Sequence, residues 1–229
     1  MFSIEKIKEA LEIVITQFPL ALWETIYVTL IATLFATIIG LPLGVLLVIG
    51  KKDGIKPLPS WLNRFLDLFI NVLRSIPFLI VMILVFPLTR LIVKTTVGTT
   101  ASIVPLVIAS FPFIARLVES SLKEVDPNII EMAQSIGATP LQIVTKVMLP
   151  EAFPSLLQNL TIATTTILGY SAMSGIIGGG GLGKIAINYG YYRYKYLIML
   201  FAVIVLVLLV QIFQSVGSFV ATKSDKRLK

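Results

Sequence analysis

The sequence predicts an all-α integral membrane protein with five transmembrane helices and a polar helical loop on one side of the bilayer. Three observations carry this. Hydrophobic residues make up 56% of the 229 and charged residues only 14%, with a mean hydropathy of +0.94. A water-soluble domain of this size needs far more polar surface. Five apolar runs each approach the roughly 20 residues that cross a bilayer as a helix. Between the third and fourth lies a polar, proline-punctuated island, EMAQSIGATPLQIVTKVMLP, from Glu131 to Pro150.

The elements follow in order. The opening MFSIEKIKEALEIV sets Glu5, Glu9 and Glu12 beside Lys6 and Lys8. It lacks the three-part pattern of a secretory signal, so the first span is expected to act as an uncleaved targeting signal. That span covers roughly 24–50 and contains Gly40, Pro42 and Gly44, which a membrane helix tolerates when neighbours satisfy the freed backbone groups. A basic loop with Lys51, Lys52, Asp53, Lys56 and Arg64 follows. The second span is expected at 67–89 and the third at 97–118, with Arg90, Lys94 and Gly98 in the turn between them. A polar loop fills 119–151, the fourth span 153–177 and the fifth 196–220, before the soluble tail KSDKRLK. The two halves of the chain are unlike each other, which predicts one membrane domain over 1–229. Five helices enclose a pathway poorly alone, which predicts a dimer or heteromer.

The net charge of +7 reads as retention of cations on the cytoplasmic side. With the N-terminus outside, twelve of the 19 Lys and Arg face inward: Lys51, Lys52, Lys56, Arg64, Arg74, Arg116, Lys123, Lys146, Lys223, Lys226, Arg227 and Lys229. The outside keeps Lys6, Lys8, Arg90, Lys94, Lys184, Arg193 and Lys195. This predicts N-outside and C-inside, with the polar loop in the cytoplasm. No basic cluster with interleaved aromatics suggests nucleic acid. The chain has no Cys and no His. Disulfides, Cys/His zinc sites, His-ligated haem and thiol or imidazole catalysis are therefore excluded.

Within the island, Asp126-Pro127 reads as an N-cap followed by Pro at the first helical position. Ile129, Met132, Ala133 and Ile136 then fall on one apolar face. Gly137 suits the left-handed position that closes a helix. Thr139-Pro140 opens a second helix, Val144, Val147 and Met148 form its apolar stripe, and Pro150 ends it. Periodicity alone leaves two readings open: an interfacial helix pair packed on its own bundle, or a surface gripped by a soluble partner.

The residue pattern adds a resemblance. Glu131-Met132-Ala133, Gly137 six residues after the Glu, and Val147-Met148-Leu149-Pro150 resemble the EAA loop of bacterial ABC-importer permeases. Met132 replaces the first Ala of that pattern and Val147 its Ile. The segments Arg74-Ser75-Ile76-Pro77-Phe78, Phe111 to Arg116, Gly169 to Met173 and Gly178 to Gly183 are similar to the methionine-importer permease subfamily. The resemblance implies a type I ABC-importer permease fold with a cytoplasmic coupling helix, in a bacterial cytoplasmic (inner) membrane. It implies a homodimer of five-helix subunits, two cytoplasmic ATPase subunits and an extracytoplasmic methionine-binding lipoprotein. ATP and magnesium would be bound by the ATPase, and this chain would hold no cofactor and no catalytic residue. Glu131, Ala133, Gly137, Ala138, Thr139, Pro140, Val147, Leu149 and Pro150 would then couple to the ATPase, with Gly137 permitting close backbone approach and Glu131 offering charge-assisted hydrogen bonds.

Three other features bear on function. Gly178 to Lys184 matches GxxxxGK, but Ile185 stands where a phosphate loop needs Ser or Thr for magnesium. A flexible outer loop near the gate, or beneath a docked binding protein, and a simple connector are the alternatives. The fourth span carries an unusual polar load, from Ser155 through Thr166 to Ser174. Such groups either bond their own helix or neighbouring ones, or line a translocation path. Candidates for the path are Gln158, Asn159, Thr165, Tyr170 and Met173, the last two offering soft contact to a thioether. Arg74 either snorkels or pairs with Asp67, seven residues earlier on roughly the same face, and Arg116 is expected to anchor the end of the third span.

Three function classes follow. The first is a gating subunit driven by an external ATPase, carrying methionine or another small solute. The second is a self-powered secondary transporter, which needs an intramembrane carboxylate; Glu24, Glu119 and Glu151 are all expected at span ends. The third is a membrane-embedded enzyme, for which clustered acid–base groups are lacking.

Overall fold

The computed structural model describes residues 4–225, with side chains from residue 7 onward. Lys226, Arg227 and Lys229 of the predicted inner charge lie outside the described residues, as does the Lys6 side chain. The described residues are helical throughout, with short connections and no strand. In chain order the helices are α1 (Ile4–Ile49), α2 (Ser60–Ser75), α3 (Phe78–Leu84), α4 (Phe86–Val93), α5 (Ile103–Lys123), α6 (Pro127–Ser135), α7 (Pro140–Ile143), α8 (Leu149–Glu151), α9 (Phe153–Ser174), α10 (Gly181–Ile185) and α11 (Tyr196–Ser224). Short π-wound segments join α7 to α8 and α10 to the loop before α11, and a 3₁₀ turn, Gly175–Ile177, follows α9. Among the described residues, four helices are long and apolar enough to cross a membrane, or up to five if a bent pair counts as one span.

That bent pair corrects the straight helix expected over 67–89. Helix α2 stops at Ser75, and the chain turns by 104° before α3. The cause is local. Pro77 disfavours helical backbone at the preceding residue, and Ile76 is extended at φ −82°, ψ 126°. Arg90 lies in α4 rather than in a turn, and Lys94 closes that helix in the left-handed region at φ 67°. Helix α5 runs on to Lys123, so Arg116 and Glu119 are helical and the polar loop starts later than 119. Glu24 lies well inside α1, which begins at Ile4 rather than near 24.

The chain forms two compact units. One takes in residues up to Leu34, Pro77–Ala109 and Thr164–Phe213; the other takes in Phe35–Ile76, Ser110–Ala163 and Gln214 onward. The core of the first gathers Phe18 and Ala21 of α1, Leu168 of α9, Leu182 and Ile185 of α10, and Ile198 and Ala202 of α11. Thr99 and the glycine-rich stretch before α10 are also stapled there. Thr99 Oγ1 donates to Glu24 Oε1 at 2.8 Å, Gly181 N–H to Glu24 Oε2 at 2.7 Å, and Leu182 N–H to Thr25 Oγ1 at 3.0 Å. This corrects the flexible outer loop expected at Gly178–Gly183, where Gly181, Leu182 and Gly183 are buried.

In the second unit, Leu47 of α1, Ile70 of α2 and Ala115 of α5 form the buried centre, with Leu43 and Leu66 against them. Glycine brings α1 against α5: a Cβ on Gly44 would stand 2.6 Å from the Ala115 carbonyl oxygen. Small residues permit this approach in lipid, where packing rather than hydrophobicity drives helix association.

Candidate functional site

The polar loop is built as the sequence grammar dictates. Asp126 caps α6, its carboxylate accepting from the Asn128 N–H at 2.9 Å, and Pro127 supplies the first turn. Helix α6 closes in a Schellman motif. Ala138 N–H donates to the Ala133 carbonyl at 3.1 Å and Gly137 N–H to that of Gln134 at 2.9 Å. Gly137 itself sits at φ +81°. Thr139 then opens α7 with a reciprocal cap: Thr139 N–H donates to Gln142 Oε1 at 2.8 Å, and Gln142 N–H to Thr139 Oγ1 at 3.4 Å. The Thr-x-x-Gln spacing, beyond the Thr-Pro opening, is the sequence signal for this box.

The single apolar face expected for Ile129, Met132, Ala133 and Ile136 divides in two. Ala133 is buried and Ile129 half-buried, whereas Met132 is 63% exposed and Ile136 81% exposed. Leu141 of the next helix is 72% exposed. In the second stripe Val144 and Met148 are buried and Val147 half-buried, joined by Ile143, which the pattern missed. Pro150 does not end the helix. The chain widens to π winding over Val144–Met148, with Leu149 N–H reaching the Val144 carbonyl, and Pro150 then lies in the first turn of the short α8. A proline has no N–H to give to the turn behind it, and one wide turn absorbs that deficit.

The outer surface of the loop thus presents Met132, Ile136 and Leu141 around an exposed glycine. A Cβ built on Gly137 meets nothing within 4 Å. Glu131 is exposed, and its carboxylate has no partner among the described residues.

The C-terminal end of α5 holds a charge network, in which Asp67 takes a different partner from the Arg74 that its helical face suggests. Asp67 pairs with Arg116, at 2.7 Å from Nη2 to Oδ1, and not with Arg74. Arg116 Nη1 also reaches Glu119 Oε2 at 2.6 Å, while Lys123 Nζ and Lys51 Nζ reach Glu119 Oε1 at 2.7 and 3.0 Å. The Glu119 side chain is only 5% exposed, so its charge is tolerated because three cations surround it. Arg116, Glu119 and Lys123 stand at i, i+3 and i+7 on α5, a spacing that could have pointed to the cluster. The network ties the loop that follows α1 to α2 and α5.

Of the expected pathway residues, two fall in the second unit. Asn159 Nδ2 donates to Ser121 Oγ at 2.8 Å and to the Leu117 carbonyl at 3.3 Å, and Ser155 Oγ lies 3.1 Å from the same Ser121 hydroxyl. Its amide is therefore spent on α5. Gln158 is exposed and lines a cavity of about 790 Å³ with Glu124, Glu151 and Ser155. The other three lie in the first unit. Thr165 is half-buried, Met173 is 46% exposed, and the Tyr170 ring stacks on Phe78 with centroids 4.7 Å apart and planes 3° apart. One face of Tyr170 is thus covered. Much of the polar load serves its own helix: Thr161, Ser171 and Ser174 donate to the carbonyls of Leu157, Leu168 and Ser171.

Comparison with known proteins matches residues 40–228 to the binding-protein-dependent transport system inner membrane component. The chain belongs to this family of membrane permeases. It is 50% identical over 208 residues to a probable D-methionine transport system permease protein of Vibrio cholerae, covering 90% of this chain and 92% of that one. It is 41% identical to a methionine import system permease protein of Bacillus subtilis, covering 93% and 96%. Its fold is similar to a chain of the MetNI methionine ABC transporter in an inward-facing conformation, with TM-score 0.87 and 43% identity over 89% of this chain and 94% of that one. Family membership accords with the first of the three function classes left open by sequence, a transport permease.

Proposed function

We propose that this chain is the gating subunit of an ATP-driven importer that takes up methionine, with α6 and α7 as its coupling element. The carrying observation is the exposed apolar triad Met132, Ile136 and Leu141 around the open Gly137 turn. Apolar side chains held outward on an otherwise polar loop suit a partner's cleft. On this reading two copies of the chain pair across the membrane, and two cytoplasmic ATPase subunits bind ATP and magnesium and grip the loops. The N-terminus is outside, and an extracytoplasmic binding lipoprotein delivers the substrate. Glu131 supplies hydrogen-bond acceptors to the ATPase. Ala133, Val147 and Leu149 pack the loop onto the bundle, and Ala138, Thr139, Pro140 and Pro150 fix its two turns.

ATP binding draws the ATPases together, and the rigid loop carries that motion into the spans. ATP supplies the differential free energy between inward-open and outward-open states. No bond is made or broken in this chain. Methionine as cargo rests on the named relatives, and Gln158, Thr165, Tyr170 and Met173 are the candidate contacts along the path. Uptake of labelled methionine by the reconstituted complex, with other amino acids as competitors, tests the proposal. Uptake that requires the ATPase and is competed best by methionine supports it. Uptake by this chain alone, or labelling of a cysteine placed at Gln134 from outside the cell, overturns it.

A further inference from the structure

Helix α2 is unlike every other long helix in the chain. Its 16 residues span roughly 24 Å, short of the ~30 Å hydrocarbon core. Its sequence, SWLNRFLDLFINVLRS, divides into three faces. One holds Leu66 and Ile70, which pack against Leu47 of α1 and Ala115 of α5, Ile70 being wholly buried. A second carries Asn63, Arg64, Asp67, Asn71 and Arg74. The third is apolar and faces outward: Trp61 at 70% exposed, then Phe65, Leu68, Phe69 and Val72, with the Phe65 and Phe69 rings stacked at 6.1 Å. Ile70 and the Asp67–Arg116 ion pair fix the rotation of the helix. The aromatic stripe is therefore held outward by the fold and not by a free choice of side chains.

Charge names what covers the stripe. The one acidic residue of α2, Asp67, is neutralised by Arg116. Lys52 and Lys56 in the preceding loop, with Arg64 and Arg74 on the helix, are exposed and have no acidic partner among the described residues. A helix with a Trp- and Phe-bearing face flanked by unpaired cations matches the boundary between phosphate headgroups and acyl chains. Unpaired Lys and Arg there favour anionic lipid. A second copy of this chain would bring the same four cations towards themselves across a twofold axis.

We propose that α2 is an interfacial helix and not half of a straight span: it lies in the headgroup–acyl boundary of an anionic leaflet, with Trp61, Phe65, Leu68, Phe69 and Val72 as its buried face. It anchors the Glu119 network, and with it the polar loop, at a fixed depth.

The chain has two Trp and no Cys, which makes the test direct. In the full-length Trp23→Phe protein, reconstituted in vesicles of phosphatidylglycerol and phosphatidylethanolamine, Trp61 is the sole fluorophore. Lipids spin-labelled near the headgroup should quench it at least about twofold more than lipids labelled near the chain end, as burial of about 5–10 Å requires. An independent measurement places a spin label on Phe65→Cys and compares collision with dissolved oxygen and with a water-soluble nickel complex. Comparable access to both marks the interface. Replacing phosphatidylglycerol with phosphatidylcholine should weaken the shallow quenching. Stronger quenching by the deep label would show a crossing helix. Absence of lipid quenching would show a second copy or water over the stripe. Either result overturns the proposal, and neither depends on transport or on the ATPase.

Discussion

At Gly183 an added Cβ would stand 2.1 Å from the Ala172 carbonyl oxygen; at Gly137 it would meet nothing within 4 Å. Gly137 stands at a break between helices and Gly183 inside the short α10, and both lie in segments that the sequence marks as special. The first stretch is solid. Gly180 has no room beside Thr99 and Glu24, and the Glu24 carboxylate closes over the Gly181 N–H. The second is open, and there glycine is required by the backbone, at φ +81°. The same residue thus does opposite work. In one unit it lets backbone pack on backbone, and in the other it bends the chain so that a surface stays bare. A bare, rigid surface fits a partner; a filled one fits a hinge or wall.

The same substitution at the two positions should separate these roles. Gly183→Val sets a branched side chain against backbone atoms that cannot swing away, and overpacking of this kind costs about 3 kcal/mol or more. The detergent-solubilised protein should lose its monodisperse peak on size-exclusion chromatography after mild heating. An unchanged melting temperature would show that the stretch is as loose as its composition suggests. Gly137→Val meets no neighbour and costs only the left-handed strain of a branched residue, about 1–2 kcal/mol. The membrane domain should insert and stay monodisperse, while capture of the ATPase subunit in a pull-down falls at least about tenfold, the equivalent of about 1.4 kcal/mol. Gly137→Asn, which tolerates that backbone, should retain most of the capture. Equal loss of fold at both sites would erase the distinction.

The contrast also explains what the sequence could disclose. Local grammar was legible: Asp126-Pro127, Gly137 and Thr139-Pro140 each set their own turn, and the structure forms each one as written. Local grammar fails where long-range neighbours decide. Glycine density over Gly178–Gly183 reads as freedom, because Glu24, Thr25 and Thr99, which fix it, lie more than 70 residues away in the chain. Asp67 and Arg74 share a helical face, yet Arg116, 49 residues on, takes the carboxylate. The break at Ile76-Pro77 was legible and missed, since hydropathy ran through it and masked the backbone rule. Family resemblance pointed to the loop proposed for coupling, but which side of it is bare depends on packing that no pattern of apolar residues contains.

The mildest probe lies within the open turn itself. Thr139→Ala removes the hydroxyl that accepts from the Gln142 N–H and leaves the backbone N–H of residue 139, bonded to Gln142 Oε1, as the remaining half of the cap. Loss of an N-cap costs about 1 kcal/mol, and here it falls on a helix of four residues with little else to hold its start. Global melting should shift by only a few degrees, as expected for about 1 kcal/mol in a domain of this size. Amide exchange over residues 139–143 should rise several-fold, while protection of the buried α5 backbone near Ala115 stays the same. If the cap is instead redundant, because Ile143 and Val144 already pin the segment to the bundle, exchange in the turn will not change. The rigidity of the open surface would then come from burial behind it and not from the hydrogen bonds at its rim.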